Sequence, residues 1–299
     1  MQLGMIGLGR MGGNMAQRLL AGGHEVFVYD RSAAAVDAAA AGGARGARDL
    51  RELVAGLRPP RVVWMMVPAG QPTQATLDEL AGLVQAGDIL VDGGNSNFND
   101  TVRRAAALGQ RGIELVDAGT SGGIWGREIG YCLMVGASER AFGVCEPLFR
   151  TLAPENGYAR VGPAGAGHFV KMVHNGIEYG LLQAYAEGYE LLHAAKQFGL
   201  DLARISALWN RGSVVRSWIN ELAERAFARN AELSDIRGWV EDSGEGRWTV
   251  ETAVQLDVPA PVITLALLMR LRSRQEDTFA GKVVAALRRE FGGHATRSS

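Results

Sequence analysis

Short apolar runs recur through the first half of the chain, separated by stretches with helical periodicity. Residues 3–6, 25–29, 62–67, 89–91, 113–116 and 131–135 each read as a strand. A helical pattern over residues 11–21 follows the first of them, and the alanine-rich residues 33–41 suit a helix packed on a sheet. Continuous apolar strands alternating with helices predict a parallel sheet covered on both faces. Beyond residue 165 the texture changes. Residues 166–197 contain no proline and are rich in helix formers, and apolar-periodic segments follow at 202–209, 215–227 and 262–274. The pattern therefore predicts an α/β domain over residues 1–164 and an all-α domain over 165–299. The turn-rich stretch Gly162-Pro163-Ala164-Gly165-Ala166-Gly167 forms the joint and starts the long helix.

Composition narrows the function classes. A length of 299 residues fits two domains of ordinary size, and 47% hydrophobic residues suffice for buried cores. The 31 basic and 32 acidic residues nearly cancel, so there is no basic excess of the kind nucleic-acid binders show. Cys132 and Cys145 form no CxxC pair, which argues against a disulfide scaffold or a cysteine-rich metal site. No apolar stretch of membrane-spanning length and no leader pattern is seen, so a cytoplasmic protein without membrane contact is expected. Only Lys171, Lys196 and Lys282 are lysines; the other basic residues are arginine. Lysine can serve as a proton acceptor when desolvated, and arginine cannot.

Gly7-Leu8-Gly9-Arg10-Met11-Gly12 follows the first strand and opens a helix, and Asp30 closes the next strand 18 residues beyond Gly12. A GxGxxG motif alone is weak evidence among 40 glycines, but this order of strand, turn, helix, strand and acid is the dinucleotide fingerprint of a Rossmann-like domain. Helix N–H groups would meet the pyrophosphate, and Asp30 would accept hydrogen bonds from the ribose hydroxyls of NAD. Arg31 leaves NADP open, because it could meet a 2′-phosphate.

Lys171, His174, Asn175 and Glu178 stand at i, i+3, i+4 and i+7 on the long helix, hence on one face. Their neighbours Phe169, Val170, Met172, Val173 and Ile177 are apolar, which favours a stripe lining a cleft over a solvated face or a structural lysine–glutamate network. A lysine beside a nicotinamide cation can sit neutral and take a hydroxyl proton. Glu178, about 10 Å further along the axis, offers a second proton-transfer group. Two such groups suit a reaction with a proton event after oxidation. The strand end Asp92-Gly93-Gly94-Asn95-Ser96 and the small-residue loop from Asp117 to Gly123 are further ligand-binding candidates.

Together these residues resemble the decarboxylating 6-phosphogluconate dehydrogenases of the β-hydroxyacid dehydrogenase superfamily. The resemblance rests on residues 7–15, 92–96, 119–123, 165–179 and 246–249, and runs nearly end to end in a short form without the second helical repeat of longer relatives. It implies conversion of 6-phosphogluconate and NAD(P) to ribulose 5-phosphate, CO2 and NAD(P)H, a step of the pentose phosphate pathway. It also implies roles. Lys171 would be the base and then the acid of decarboxylation, and Glu178 would protonate C1 of the enediol. Asn95, His174 and Asn175 would hold substrate oxygens, and Ser121, Gly122 and Gly123 would seat the carboxylate. Tyr179 and Arg270 would bind the phosphate, with Arg288 and His294 reaching a neighbouring subunit's site in a homodimer or homotetramer. Val67, Pro68, Ala69 and Asn95 would join the glycine motif in holding the cofactor. No metal is required.

This chain also departs from the family pattern. Ser243 and Glu245 stand where long relatives carry a phosphate-binding lysine and threonine, and Glu245 would repel a phosphate unless turned away. Asp30-Arg31 replaces the Asn-Arg of long NADP users, favouring NAD. The rival readings are a non-decarboxylating NAD-dependent β-hydroxyacid dehydrogenase, against which His174 and Glu178 argue, and a non-catalytic NAD-binding module, against which Lys171 argues.

Overall fold

The first apolar run becomes β1 (Gln2–Ile6), and the glycine motif turns it into α1 (Arg10–Ala21). The chain continues through β2 (Glu25–Tyr29), α2 (Ala33–Ala41), β3 (Arg45–Gly46), α3 (Leu50–Ala55), β4 (Val62–Met65), α4 (Gln71–Ala81), β5 (Ile89–Asp92) and α5 (Phe98–Gly109). Next come β6 (Glu114–Ser121), α6 (Gly126–Ile129), β7 (Cys132–Gly136), α7 (Glu139–Leu152), β8 (Tyr158–Gly162) and the long α8 (Ala166–Ala194). Then follow α9 (Leu202–Trp209), α10 (Trp218–Arg229), α11 (Glu245–Gln255), α12 (Pro261–Arg272) and α13 (Phe279–Gly292). This computed structural model describes residues 1–293 and 295–297. The chain divides into two compact units, Met1–His174 and Asn175–Ser299, so α8 belongs to both.

The first unit is built on one eight-stranded sheet of order β3-β2-β1-β4-β5-β6-β7-β8. Neighbours run parallel except β6 and β7, which pair antiparallel. The expected all-parallel sheet is thus corrected at this edge. The link from β6 to β7 holds only a short 3-10 turn and the four-residue α6, too little chain for the crossover a parallel pair requires. Strand order reverses between β1 and β4, and in open α/β sheets ligands bind at such a reversal, outside the carboxyl ends of the strands.

The continuous apolar runs are explained by burial on both faces. Along β4, Val62 and Trp64 enter one core with Met15, Leu19 and Phe149, while Val63 and Met65 enter the other with Leu53, Leu77 and Leu80. The same alternation splits Ile89 and Val91 from Leu90 in β5. Helix α2 forms where the alanine run predicts it and starts at a Ser32 cap, yet none of its residues is buried; only Val36 and Ala39 lean on the core.

The second unit contains the expected helices, with α10 starting at Trp218 instead of residue 215 and α8 ending at Ala194. Tyr189, Leu202 and Phe227 form one small core, and Tyr179, Ala266 and Leu267 another. Among the described residues no helix is long and apolar enough to cross a membrane.

Candidate functional site

The three glycines of the fingerprint are not equivalent. A Cβ on Gly7 would lie 2.4 Å from the carbonyl oxygen of Met66, and one on Gly12 would lie 2.0 Å from that of Gly7. Gly7 also has φ +86°, open to glycine and strained for other residues. These two glycines let the turn and α1 close on the sheet. A Cβ on Gly9 would meet nothing within 4 Å. Gly9 is the N-cap of α1 and supplies no side-chain cap to it, so the helix presents bare N–H groups beside an uncrowded glycine. That cradle fits a dinucleotide pyrophosphate.

Asp30 ends β2 as expected, and its carboxylate is already engaged. Oδ2 accepts from the Leu8 N–H at 2.6 Å and Oδ1 from the Ser32 N–H at 2.8 Å. Asp30 therefore fastens the glycine loop, and only its remaining lone pairs are open to a ribose. Arg10 and Arg31 are exposed, and Leu8 and Met11 are half-buried.

Two loops at the carboxyl edge are tied together by Arg104 of α5, which is 4% exposed. Its Nε donates to Gln74 Oε1 and its Nη2 to the Gly70 carbonyl, both at 3.0 Å, while Nη1 lies 3.9 Å from Asp92 Oδ2. Asp92 in turn accepts from Ser96 Oγ at 2.6 Å and from the Gly94 N–H at 3.1 Å. Val67, Pro68 and Ala69 precede α4, and Asn95 is exposed on the loop between Asp92 and Asn97.

Lys171 is placed by close contact of α8 with the sheet. A Cβ on Gly119 of β6 would fall 2.5 Å from Lys171 Cβ, and one on Gly167 would fall 2.5 Å from the Asp117 and Met134 carbonyls. Only glycine at both places allows this approach. Asp117 fixes the helix start from β6: Oδ1 accepts the Gly165 N–H at 2.6 Å and Oδ2 the His168 N–H at 2.7 Å. Burial pushes the Asp117 carboxyl up from its ordinary pKa, opposed by nearby His168 and by these two N–H bonds. Lys171 is 7% exposed and Asn175 9%, while His174 and Glu178 are half-buried. The stripe is thus largely withdrawn from water, although neighbouring Ile177 is 53% exposed. His174 Nε2 lies 3.3 Å from Ser121 Oγ. The expected loop from Asp117 onward is corrected here: residues 117–121 belong to β6, where they pair antiparallel with β7, and the loop begins at Gly122 and Gly123, both at positive φ.

In the second unit the Arg270 guanidinium lies 3.4 Å from the centre of the buried Tyr179 ring, so these two come together. Arg270 has no carboxylate partner among the described residues, whereas Arg247 and Arg274 both face Asp242. Glu245 is 3% exposed and accepts from Ser243 Oγ at the first position of α11, where a carboxylate meets the positive end of the helix. It is turned inward. Arg288 is exposed on α13, and His294 lies outside the described residues.

The sequence reading passed over Arg104, Thr101 and His168. Arg104 sits among surface-type residues of an amphipathic helix, and His168 sits in an apolar run with the look of core. Among the described residues no group of three histidines, cysteines or carboxylates is placed to hold a metal ion.

Residues 2–162 match the family model for the NAD binding domain of 6-phosphogluconate dehydrogenase, and residues 167–291 match that for its C-terminal domain. A Haloferax volcanii protein named 6-phosphogluconate dehydrogenase, NAD(+)-dependent, decarboxylating, is 45% identical over 98% of both chains. YqeC of Bacillus subtilis is 49% identical over 99% of both. Among solved structures, Plasmodium falciparum 6-phosphogluconate dehydrogenase superposes with a TM-score of 0.85 at 25% identity, covering 98% of this chain and 65% of that one. By residues, fold and relatives alike, the chain belongs to the 6-phosphogluconate dehydrogenase family.

Proposed function

We propose that this chain oxidises 6-phosphogluconate at C3 with NAD in preference to NADP, releases CO2 and yields ribulose 5-phosphate. The observation that carries the reading is the α8 stripe: a buried lysine pressed against β6, with a buried asparagine, a histidine and a glutamate on the same helix face. Residues 1–164 serve as the dinucleotide domain and 165–299 as the substrate domain. Gly7, Gly9 and Gly12 with the α1 N-terminus hold the pyrophosphate, Asp30 and Arg31 lie at the adenosine end, and Val67, Pro68, Ala69 and Asn95 complete the cradle. Bound NAD supplies the hydride acceptor.

Lys171 takes the C3 hydroxyl proton as the C3 hydrogen departs with its electron pair, giving a 3-keto acid. Water is scarce around it, which lets the amine act as a base. The protonated Lys171 then returns its proton to the C3 oxygen as the C1–C2 bond breaks and CO2 leaves. This yields an enediol with no metal needed as electron sink. Glu178 delivers a proton to the carbon that was C2 of the substrate and is C1 of the product, the Lys171 amine takes back the proton on the C3 oxygen, and the enediol becomes the ketone. Asn95, His174 and Asn175 hold the substrate's oxygens. Ser121 with the bare N–H groups of Gly122 and Gly123 seats the carboxylate, and Tyr179 and Arg270 take the phosphate. The inward turn of Glu245 removes the repulsion that its sequence position suggests.

A second copy of the chain completes the site through Arg288 and His294. Support comes from α13, whose Phe279, Val284 and Leu287 are 80%, 58% and 60% exposed. The deciding assay follows NADH, NADPH and CO2 together from 6-phosphogluconate. NADH matched by CO2 is expected. NADH without CO2 would move the chain to a non-decarboxylating hydroxyacid dehydrogenase.

A further inference from the structure

The N-terminal turns of α5 and α8 interlock. Phe98 and Phe169 meet edge to face with ring centres 5.1 Å apart, and a Cβ on Gly165 would fall 2.5 Å from Val102 Cγ2. Between these apolar contacts stands one polar bond: Thr101 Oγ1 lies 2.8 Å from His168 Nδ1. Thr101 is 0% and His168 2% exposed. The hydroxyl of Thr101 donates to the Asn97 carbonyl at 3.3 Å. With that hydrogen committed, His168 Nδ1 is the donor and Thr101 Oγ1 the acceptor. His168 Nε2 has no hydrogen-bond partner among the described residues, so Thr101 alone orients the ring.

Each end of this bond reaches a different part of the site. Asn97 closes the loop that carries Asn95 and caps α5 by accepting the Asn99 N–H at 2.9 Å. His168 stands one turn before Lys171 on the same helix face, and its backbone N–H is held by Asp117. Apolar contact holds two helices together and tolerates sliding, whereas a hydrogen bond fixes direction and register. An apolar pair of the same shape would fill this space with little loss of stability, so stability alone does not account for a buried threonine–histidine pair.

We propose that the Thr101–His168 hydrogen bond is a positioning device that sets the register between the Lys171 turn of α8 and the Asn95 loop. The proposal rests on the reading above, in which Lys171 and Asn95 serve one substrate. Neither Thr101 nor His168 touches the reacting atoms.

The test is Thr101→Val, nearly isosteric but without the acceptor, with Thr101→Ser as the conservative control. In the intact enzyme Thr101→Val should lower kcat about ten- to a hundredfold, the scale set by a small misplacement of reacting groups. KM for NAD should rise far less than kcat falls, because Asn95 is one of several cradle residues and the glycine loop that holds the pyrophosphate lies on other elements, and the primary isotope effect with C3-deuterated substrate should rise. Thr101→Ser should recover most of kcat. A Thr101→Val enzyme with wild-type kcat and isotope effect would overturn the proposal, as would equal losses in kcat and NAD affinity. If the wild type itself fails to turn over 6-phosphogluconate, the functional reading has failed. The device is then judged on amide exchange of residues 165–171: Thr101→Val speeds it about tenfold if the bond holds that turn, and unchanged exchange overturns the device on its own.

Discussion

The two units of this chain bury their apolar residues very differently. In the first, Leu3, Met5, Val63, Trp64, Met65, Ile89, Leu90 and Val91 are all 0% exposed, and two extended cores line the sheet. In the second, the cores are small, and Val254, Val262, Leu265, Phe279 and Leu287 are 60–80% exposed. The first unit therefore buries its central strands within one chain, although Val102, Ile124 and Ile129 stay 51%, 56% and 58% exposed, and the positions of Gly9, Asp30, Asn95 and Lys171 are set internally. The second unit leaves apolar helix faces open in one chain, as the proposed association with a second copy requires.

The comparison can be broken in four places. If Lys171 is the proposed base, Lys171→Met should remove about a thousandfold from kcat while leaving the melting temperature near wild type. A parallel fall in both would mean that Lys171 is a packing residue. Trp64→Ala removes the largest fully buried side chain and should cost about 3–5 kcal/mol in urea unfolding. A loss below about 1 kcal/mol would show that the sheet cores are not what holds the first unit.

Leu287→Asp should act instead on association. Sedimentation should show a shift toward single chains, and the concentration dependence of the melting temperature should fade. Unaltered association would remove α13 from the interface. The smallest effect is expected at Asp242. Burial pushes its carboxyl up, but the Arg247 hydrogen bond, the Gly244 N–H and the charges of Arg247 and Arg274 outweigh this and hold its pKa below 3.8. A lowered folded pKa stabilises above pH 3.8, and that stability is lost as pH falls through the folded value. Asp242→Asn should thus cost about 1 kcal/mol at neutral pH, a modest figure because Arg247 is half exposed to solvent. The gap to wild type should close in acid. A gap independent of pH would mean that the charge is not the cause.

How much the sequence revealed follows the same division. Strands β1, β2, β4 and β5 were legible because burial on two faces writes an unbroken apolar run. Strands β3 and β8 were not: Arg45 and Gly46 are exposed, and Tyr158–Gly162 has no buried residue, so neither leaves a pattern. The reversal of β7 could have been read from the short link after β6, where no crossover fits. Helix α11 escaped notice because Thr249, Val250, Thr252 and Val254 weaken the helical signal. Helix α13 does carry apolar residues at helical spacing, Phe279, Val283 and Leu287, but the last helical segment read from the sequence ends at residue 274. At the site, the positions of the glycine loop and lysine stripe were legible because local spacing defines them. The engagement of Asp30 by Leu8, the cap on α8 by Asp117 and the inward turn of Glu245 were not, because each depends on residues brought together by the fold.

The unequal glycines of the first turn bear on what a motif records. Two of the three, Gly7 and Gly12, are demanded by the backbone of this protein itself, and a descendant that had stopped binding any nucleotide would still need them in order to fold. Only Gly9 stands where the protein asks for nothing. The information about a ligand in GxGxxG is therefore concentrated in its middle letter, and the outer two are a memory of architecture.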